Sequence, residues 1–185
     1  MSTDEAAWFA SLPTLYGAAA ALFTDEDGRV LLVKPNYRDH WSLPGGILEH
    51  GEPPHVGCAR EVAEEIGLDI VPGNLLTIGW VGPEDPRPRP IVHFIFDGGT
   101  IAASTPITVQ ASELDDYRFV SPADLAEYLP EFITARVTAA LNARASATEH
   151  TYTPRALSSR HVAGNERCGR GPPGSRRGPY LRTWL

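Results

Sequence analysis

Two cysteines, one methionine and one lysine are all that this chain of 185 residues holds of those types. Cys58 and Cys168 cannot build a disulfide framework, which excludes the small cross-linked scaffolds of secreted proteins. No apolar run approaches the roughly 18 residues that a membrane-spanning helix needs, so no membrane partner is expected. The amino terminus lacks a basic start followed by an apolar stretch, so no secretory signal is expected and a cytoplasmic location follows by default. No internal repeat is present.

What the chain does have is enough apolar residue, 42%, to build a core, and a length that favours a single domain. Its net charge of −7 is unevenly spread: residues 1–142 hold 8 basic and 21 acidic residues, whereas residues 143–185 hold 8 arginines against Glu149 and Glu166. Hydrophobic periodicity stops near Asn142, and the stretch beyond it is rich in Arg, Gly and Pro. Such a composition buries too little to offset ordering entropy, so a flexible tail is expected over 143–185. The remaining division is an amino-terminal extension over 1–13 and a folded domain over 14–142.

Within that domain strands and helices alternate. Strands are expected at Tyr16 to Phe23 and Val30 to Lys34, joined by the Asp25–Gly28 turn, with a short extended stretch over Trp41 to Leu48. Further strands are expected within Ile70 to Val81, at Ile91 to Phe96 and at Leu114 to Val120. The proline-rich stretch from Gly82 to Pro90 reads as a loop. Helices are expected over Pro54 to Ile66, from Pro122 with Ser121 as its cap, and over Pro130 to Leu141, where Phe132 and Ile133 supply packing. This order suits a mixed sheet between helical layers.

The most informative stretch is residues 46–68, GILEHGEPPHVGCAREVAEEIGL. Glu61, Glu64 and Glu65 fall within one helical arc, where like charges repel by a few tenths of a kcal/mol per pair. A hard divalent cation, which favours carboxylate oxygens, would relieve that repulsion. Ala59, Val62, Ala63 and Ile66 form the apolar stripe expected to face the core. Gly45 and Gly46 allow a backbone turn that a Cβ would obstruct. Pro53 and Pro54 suit a helix start, and Gly67 suits a left-handed helix end. Cys58 reads as small packing and His55 as surface. Three glutamates alone would favour the reading of a solvated helix face; the wider pattern around them argues otherwise.

The full constellation resembles the Nudix box, G-x5-E-x7-R-E-U-x-E-E-x-G-U with U a bulky aliphatic residue. Gly46, Glu52, Arg60, Glu61, Val62, Glu64, Glu65, Gly67 and Leu68 match every defined position. The run Trp41-Ser42-Leu43-Pro44-Gly45 looks like the usual lead-in, and the resemblance covers about residues 14–142. It implies the family's α/β/α sandwich and a metal-dependent, MutT-like hydrolase that cleaves a pyrophosphate linkage in a nucleoside diphosphate bonded to another moiety. It also implies that Glu61, Glu64 and Glu65, helped by the Gly45 carbonyl, hold Mg²⁺ or Mn²⁺, and that Glu52 pairs with Arg60 to brace loop against helix. Which glutamate acts as base stays open. Glu113, following the last loop, is the candidate for a further acidic ligand, or is a solvated loop residue.

Substrate identity is less legible. Lys34 and Arg38 precede the box and could reach phosphates, or be ordinary surface charge. Alternation puts Ile91, His93 and Ile95 on one face of their strand, so His93 points either into a substrate cleft or into the sheet. Tyr16, Trp80 and Tyr117 are candidate base platforms or core aromatics. Pro83 resembles a marker of ADP-ribose-specific members, whereas the compact length resembles nucleoside triphosphate pyrophosphohydrolases. Two other classes stand beside the hydrolase: a nucleotide-sensing module without catalysis, which would be expected to lose box carboxylates, and an RNA-directed hydrolase using the Arg-rich tail. The acidic folded part opposes a large nucleic-acid footprint. A homodimer is left open.

Overall fold

The computed structural model describes residues 3–146. A helix, α1 (Thr3–Ser11), precedes the first strand, so the extension expected over 1–13 has helical structure. Trp8 and Phe9 on it are exposed. The strands are β1 (Tyr16–Thr24), β2 (Val30–Pro35), β3 (Gly45–Ile47), β4 (Leu75–Val81), β5 (Ile91–Thr100) and β6 (Leu114–Val120). The helices are α2 (Pro54–Ile66), a 3-10 turn (Pro122–Asp124) running into α3 (Leu125–Tyr128), and α4 (Glu131–Ala145). The flexible tail expected over 143–185 lies, from residue 147 onward, outside the described residues.

The strands form one mixed sheet in the order β4-β5-β1-β2-β6, with β3 paired to β1 off that path. β1 and β5 run parallel, and the other pairings are antiparallel. β1 and β2 meet only at Thr24 and Val30, beside the turn that joins them. That turn is fixed by Asp25, whose Oδ1 accepts the Arg29 N–H at 2.8 Å and whose Oδ2 accepts from Arg29 Nε at 2.6 Å. Away from the turn the two strands part, and β3 takes the opening, pairing Gly45, Gly46 and Ile47 with Ala20, Ala19 and Ala18. The glycines that lead into the helix are therefore pinned to the centre of the sheet.

Period-two alternation divides the core between the two faces. Leu22, Leu32, Ile95 and Val120 pack with Leu125 of α3, with Leu129 just after it, and with Ile133, Val137 and Ala140 of α4. Ala19, Ala21, Leu31, Val33 and Phe96 pack on the other face with Cys58, Val62 and Ile66 of α2. This is the α/β/α sandwich expected.

Several local expectations are revised. The buried edge of α2 is Cys58, Val62 and Ile66, whereas Ala59 and Ala63 are only half-buried. Cys58 is core, as expected, and burial pushes its thiol up to about 12. The segment from Pro122 is a 3-10 turn before one turn of helix, although Ser121 Oγ caps it by accepting the Ala123 N–H at 3.3 Å. α4 continues past Leu141 because Arg144 reaches back to the Leu22 carbonyl, Thr24 Oγ1 and Asp97 Oδ1. Phe132 does not pack: it is 56% exposed. β5 runs on to Thr100, following β1 through a bulge at Leu22 and Phe23.

Candidate active site

The site begins where β3 meets α2. Gly45 has φ 152°, and a Cβ there would stand 2.3 Å from the Ala19 carbonyl oxygen of β1. A Cβ on Gly46 would lie 2.2 Å from the Glu61 carboxyl carbon. Gly45 thus lets β3 close onto β1, and Gly46 lets it close onto the Glu61 carboxylate of α2. α2 starts at Pro54 and ends at Gly67, whose φ of 71° is the left-handed end expected.

Arg60 organises the outer side. Its Nε and Nη2 form a fork on Glu52 Oε1 and Oε2 at 2.8 and 2.9 Å. Nη2 also donates to the Ile47 carbonyl at 3.2 Å, tying β3 to the helix. Nη1 reaches Glu61 Oε1 at 2.7 Å and Glu64 Oε2 at 3.2 Å. The hydrogen bonds that it donates to Glu52, and then to Glu61, hold the guanidinium firmly charged. The Glu52–Arg60 brace expected from the sequence is present, and Glu52 Oε2 also accepts the Glu49 N–H, which closes the loop before the helix.

Glu65 lies on the inner side, 5% exposed, and its Oε2 accepts the Gly45 N–H at 2.7 Å. Burial raises its pKa well above the ordinary carboxylate value, and Glu61 and Glu113 raise it further, against the lowering effect of Gly45 and Arg38. Glu61 is 4% exposed. Glu113 is brought to this cluster by its backbone, since Glu113 O accepts the Asn36 N–H and Gln110 N donates to Glu65 O, both at 2.9 Å. Glu64 does not join: it is exposed and turned toward Arg60. Of the three glutamates expected to act together, α2 thus buries Glu61 and Glu65 on the side that packs with Cys58 and leaves Glu64 outside with Arg60, while Glu113 acts on Glu65 electrostatically.

Among the described residues no three His, Cys, Asp or Glu side chains stand close enough together to hold a metal ion between them. The donor chemistry nonetheless suits a hard cation. Glu61 and Glu113 raise the proton affinity of the buried Glu65, and carboxylate oxygens are the hard donors that a divalent ion takes.

Tyr37 and Arg38, on the loop after β2, border this cluster. The Tyr37 phenol is pushed up to about 12 by burial and by Glu65, Glu113 and Glu61, partly offset by Arg38. Tyr37 carries no signal in the sequence, and only the fold places it here. Lys34 donates to the Pro35 carbonyl at 3.1 Å and to the Arg38 carbonyl. Its ammonium therefore holds the loop that carries Arg38 rather than projecting into open space.

Arg38 leads into a cleft of about 610 Å³. Its walls are the 36–40 loop, the 82–90 loop, Ile91 and His93 of β5, and Phe132 at the start of α4. Arg87 shapes the second loop, donating to the carbonyls of Gly82 at 2.6 Å and Arg89 at 2.8 Å. His93, 6% exposed, lines this cleft, so its strand face is the one that the cleft opens on. Burial first, then Arg136, Arg87 and Arg38, lowers its pKa to about 3, which keeps the imidazole neutral. Trp80 borders the cleft and is 63% exposed, but it pairs with Val92, which puts its side chain on the opposite sheet face from His93. Tyr117 packs against the α2-side core.

The family model of the NUDIX domain matches residues 14–141. The chain belongs to the NUDIX family. A MutT-like protein of Streptomyces ambofaciens is 31% identical over 134 residues, spanning 72% of this chain and 82% of the relative. An ADP-ribose pyrophosphatase of Mycobacterium tuberculosis is 43% identical over 58 residues, which is 29% of this chain and 28% of that protein. The crystal structure of a MutT protein from Methanosarcina mazei Go1 superposes with a TM-score of 0.59 at 26% identity, covering 75% of this chain and all of that one. Among the described residues no helix is long and apolar enough to cross a membrane.

Proposed function

We propose that this Nudix pyrophosphohydrolase cleaves the pyrophosphate linkage of a nucleoside diphosphate joined to another moiety, a nucleoside triphosphate or an ADP-ribose-like molecule, with Mg²⁺ or Mn²⁺. The observation that carries this reading is the Glu65 carboxylate, buried against Gly45, raised by Glu61 and Glu113, and acted on electrostatically by Arg38, which lines a nucleotide-sized cleft. Glu61 and Glu65, with the Gly45 carbonyl, would hold the cation; Glu113 would join by a movement of its side chain, and Glu64 only by leaving Arg60. The cation supplies charge neutralisation at the phosphoryl oxygens and lowers the pKa of a bound water.

The protein's own residues do the rest. Arg60, locked on Glu52, fixes the register of β3 against α2 and so the positions of Gly45 and Glu65. Arg38 stands between the acid cluster and the cleft, acting electrostatically on both Glu65 and His93, and is suited to bind a phosphate there. Lys34 keeps the Arg38 loop in place. His93 offers one donor and one acceptor to the nucleoside part. A carboxylate of the cluster takes a proton from the attacking water. The new bond joins water oxygen to phosphorus, and the bridging oxygen leaves with the bonding pair on the departing phosphate.

The relatives point the same way: one is named an ADP-ribose pyrophosphatase and another a nucleoside triphosphatase. A cytoplasmic location and a small-molecule nucleotide partner go with this reading. The test is phosphate or nucleotide release from nucleoside triphosphates, ADP-ribose and nucleotide sugars, with Mg²⁺, with Mn²⁺ and after chelation. Turnover of one substrate that depends on the cation and is lost in Glu65→Gln is the expected result. Turnover that survives exhaustive chelation would sink the reading.

A further inference from the structure

Beside the cleft lies a second, smaller pocket of about 30 Å³, lined by Ser42, Leu43, His93, Ile133 and Arg136 among others. It has room for one or two water-sized atoms and not for a ring. His93 borders both spaces. The small pocket is walled mostly by apolar side chains, and its polar side chains are Ser42, His93 and Arg136. Among the described residues none of these three side chains makes a hydrogen bond or ion pair to the protein. Ser42 and His93 are buried at 7% and 6% exposure. Arg136 is half-buried, which lowers its pKa, and buried polar groups such as those of Ser42 and His93 normally find a partner.

The surroundings look arranged for Arg136. Gly79 of β4 lies beneath it, and a Cβ there would stand 2.6 Å from Arg136 Nε. Phe132 is one helical turn earlier on α4, so the two share a face, and Phe132 is exposed where it lines the cleft. An aromatic face in the larger space and unspent donors in the smaller one stand side by side.

Their chemistry is one-sided. A guanidinium only donates, a neutral imidazole donates once and accepts once, and a hydroxyl does either. The guanidinium, which cannot accept, tips such a set toward an oxygen acceptor and against an amino group. We infer that this pocket reads the base of the substrate: with the base stacked on Phe132, it takes the keto oxygen that guanine and hypoxanthine carry at C6 and uracil at C4, where adenine and cytosine carry an amino group, and so selects the former over the latter. The inference rests on the nucleotide-hydrolase reading above and adds to it a base class and a role for Arg136.

The experiment compares binding of the methylene-bridged, non-cleavable analogues of ITP and ATP to the full chain with Mg²⁺, by calorimetry. The phosphates are identical, so the difference reports the base edge alone. The expected result is tighter binding of the ITP analogue by about tenfold or more, because a site built to hydrogen-bond one group rejects the analogue lacking it. Arg136→Met should bring the two within about twofold, and Arg136→Lys should keep part of the preference. Equal binding in the parent protein, or tighter binding of the ATP analogue, overturns the inference. So does an Arg136→Met variant with a native melting temperature and an undiminished preference, which would leave the pocket a site for structural water. If Arg136→Met does not fold, the parent comparison decides alone. If neither analogue binds, the base pocket is overturned, while cation-dependent release from the wider substrate panel still decides the hydrolase reading separately.

Discussion

Glu65 Oε2 accepts the backbone N–H of Gly45 at 2.7 Å, joining the last buried carboxylate of α2 to a strand 20 residues earlier. Through this contact the acid cluster is referenced to the sheet. Gly45 is held on β1 opposite Ala20, so any change in how α2 sits on the sheet moves Glu65 as well.

Replacing Glu65 with Gln keeps the shape and a partner for Gly45 while removing a buried charge that Glu61 and Glu113 oppose. Turnover should fall by orders of magnitude, since a cation ligand is lost. Without metal, the melting temperature should hold or rise. Parallel melting curves and steady-state rates check both halves. Turnover at the parent rate would remove Glu65 from the site.

Gly46→Ala and Gly45→Ala separate two kinds of constraint. The first drives a methyl to 2.2 Å from the Glu61 carboxyl carbon, so that the side chain must turn aside. It should cost catalysis more than stability. The second meets the β1 backbone at 2.3 Å and demands a φ of 152° from a residue with a Cβ. It should cost stability first, by about 1–3 kcal/mol or more. Denaturant midpoints and kcat for the two variants give the comparison.

His93 makes the protein sensitive to acid. Its folded pKa of about 3 lies below the ordinary histidine value of 6.5, so the unfolded chain binds the extra proton between those values. Its contribution to stability is therefore complete above pH 6.5 and is lost as pH falls toward 3. Melting temperatures of the parent and of His93→Gln, taken at pH 7.5 and 5.5, should show a smaller acid-induced drop in the variant. Equal drops would mean that His93 titrates near its ordinary value.

Arg144 sets the far limit of the domain. Its guanidinium bonds to Leu22 O and Asp97 Oδ1 across the sheet, and bonds to charged partners contribute about 1.5–3 kcal/mol each. Truncation after residue 146 should leave melting and turnover nearly unchanged. Truncation after 142, or Arg144→Ala in the full chain, should lower the melting temperature by several degrees. A loss of ten degrees on removing only 147–185 would show that the Arg-rich segment is structural.

Fixed spacing within one helix was readable from the residues alone. The positions of Pro54 and Gly67 bounded α2, and the separation of Glu52 from Arg60 suited the brace that forms. The alternation along Ile91–Phe96 put His93 with Ile95, because a strand allows no other arrangement. The tertiary structure decided what depends on how elements meet. The rotation of α2, set by Cys58 and Val62 packing on the Ala19–Ala21 side of β1, turned Glu61 and Glu65 inward and left Glu64 outside with Arg60. Tyr37, Glu113 and Arg136 join their sites from loops and a helix far along the chain. No periodicity links such residues. Their proximity arises from long-range pairing of the strands, which local spacing does not encode.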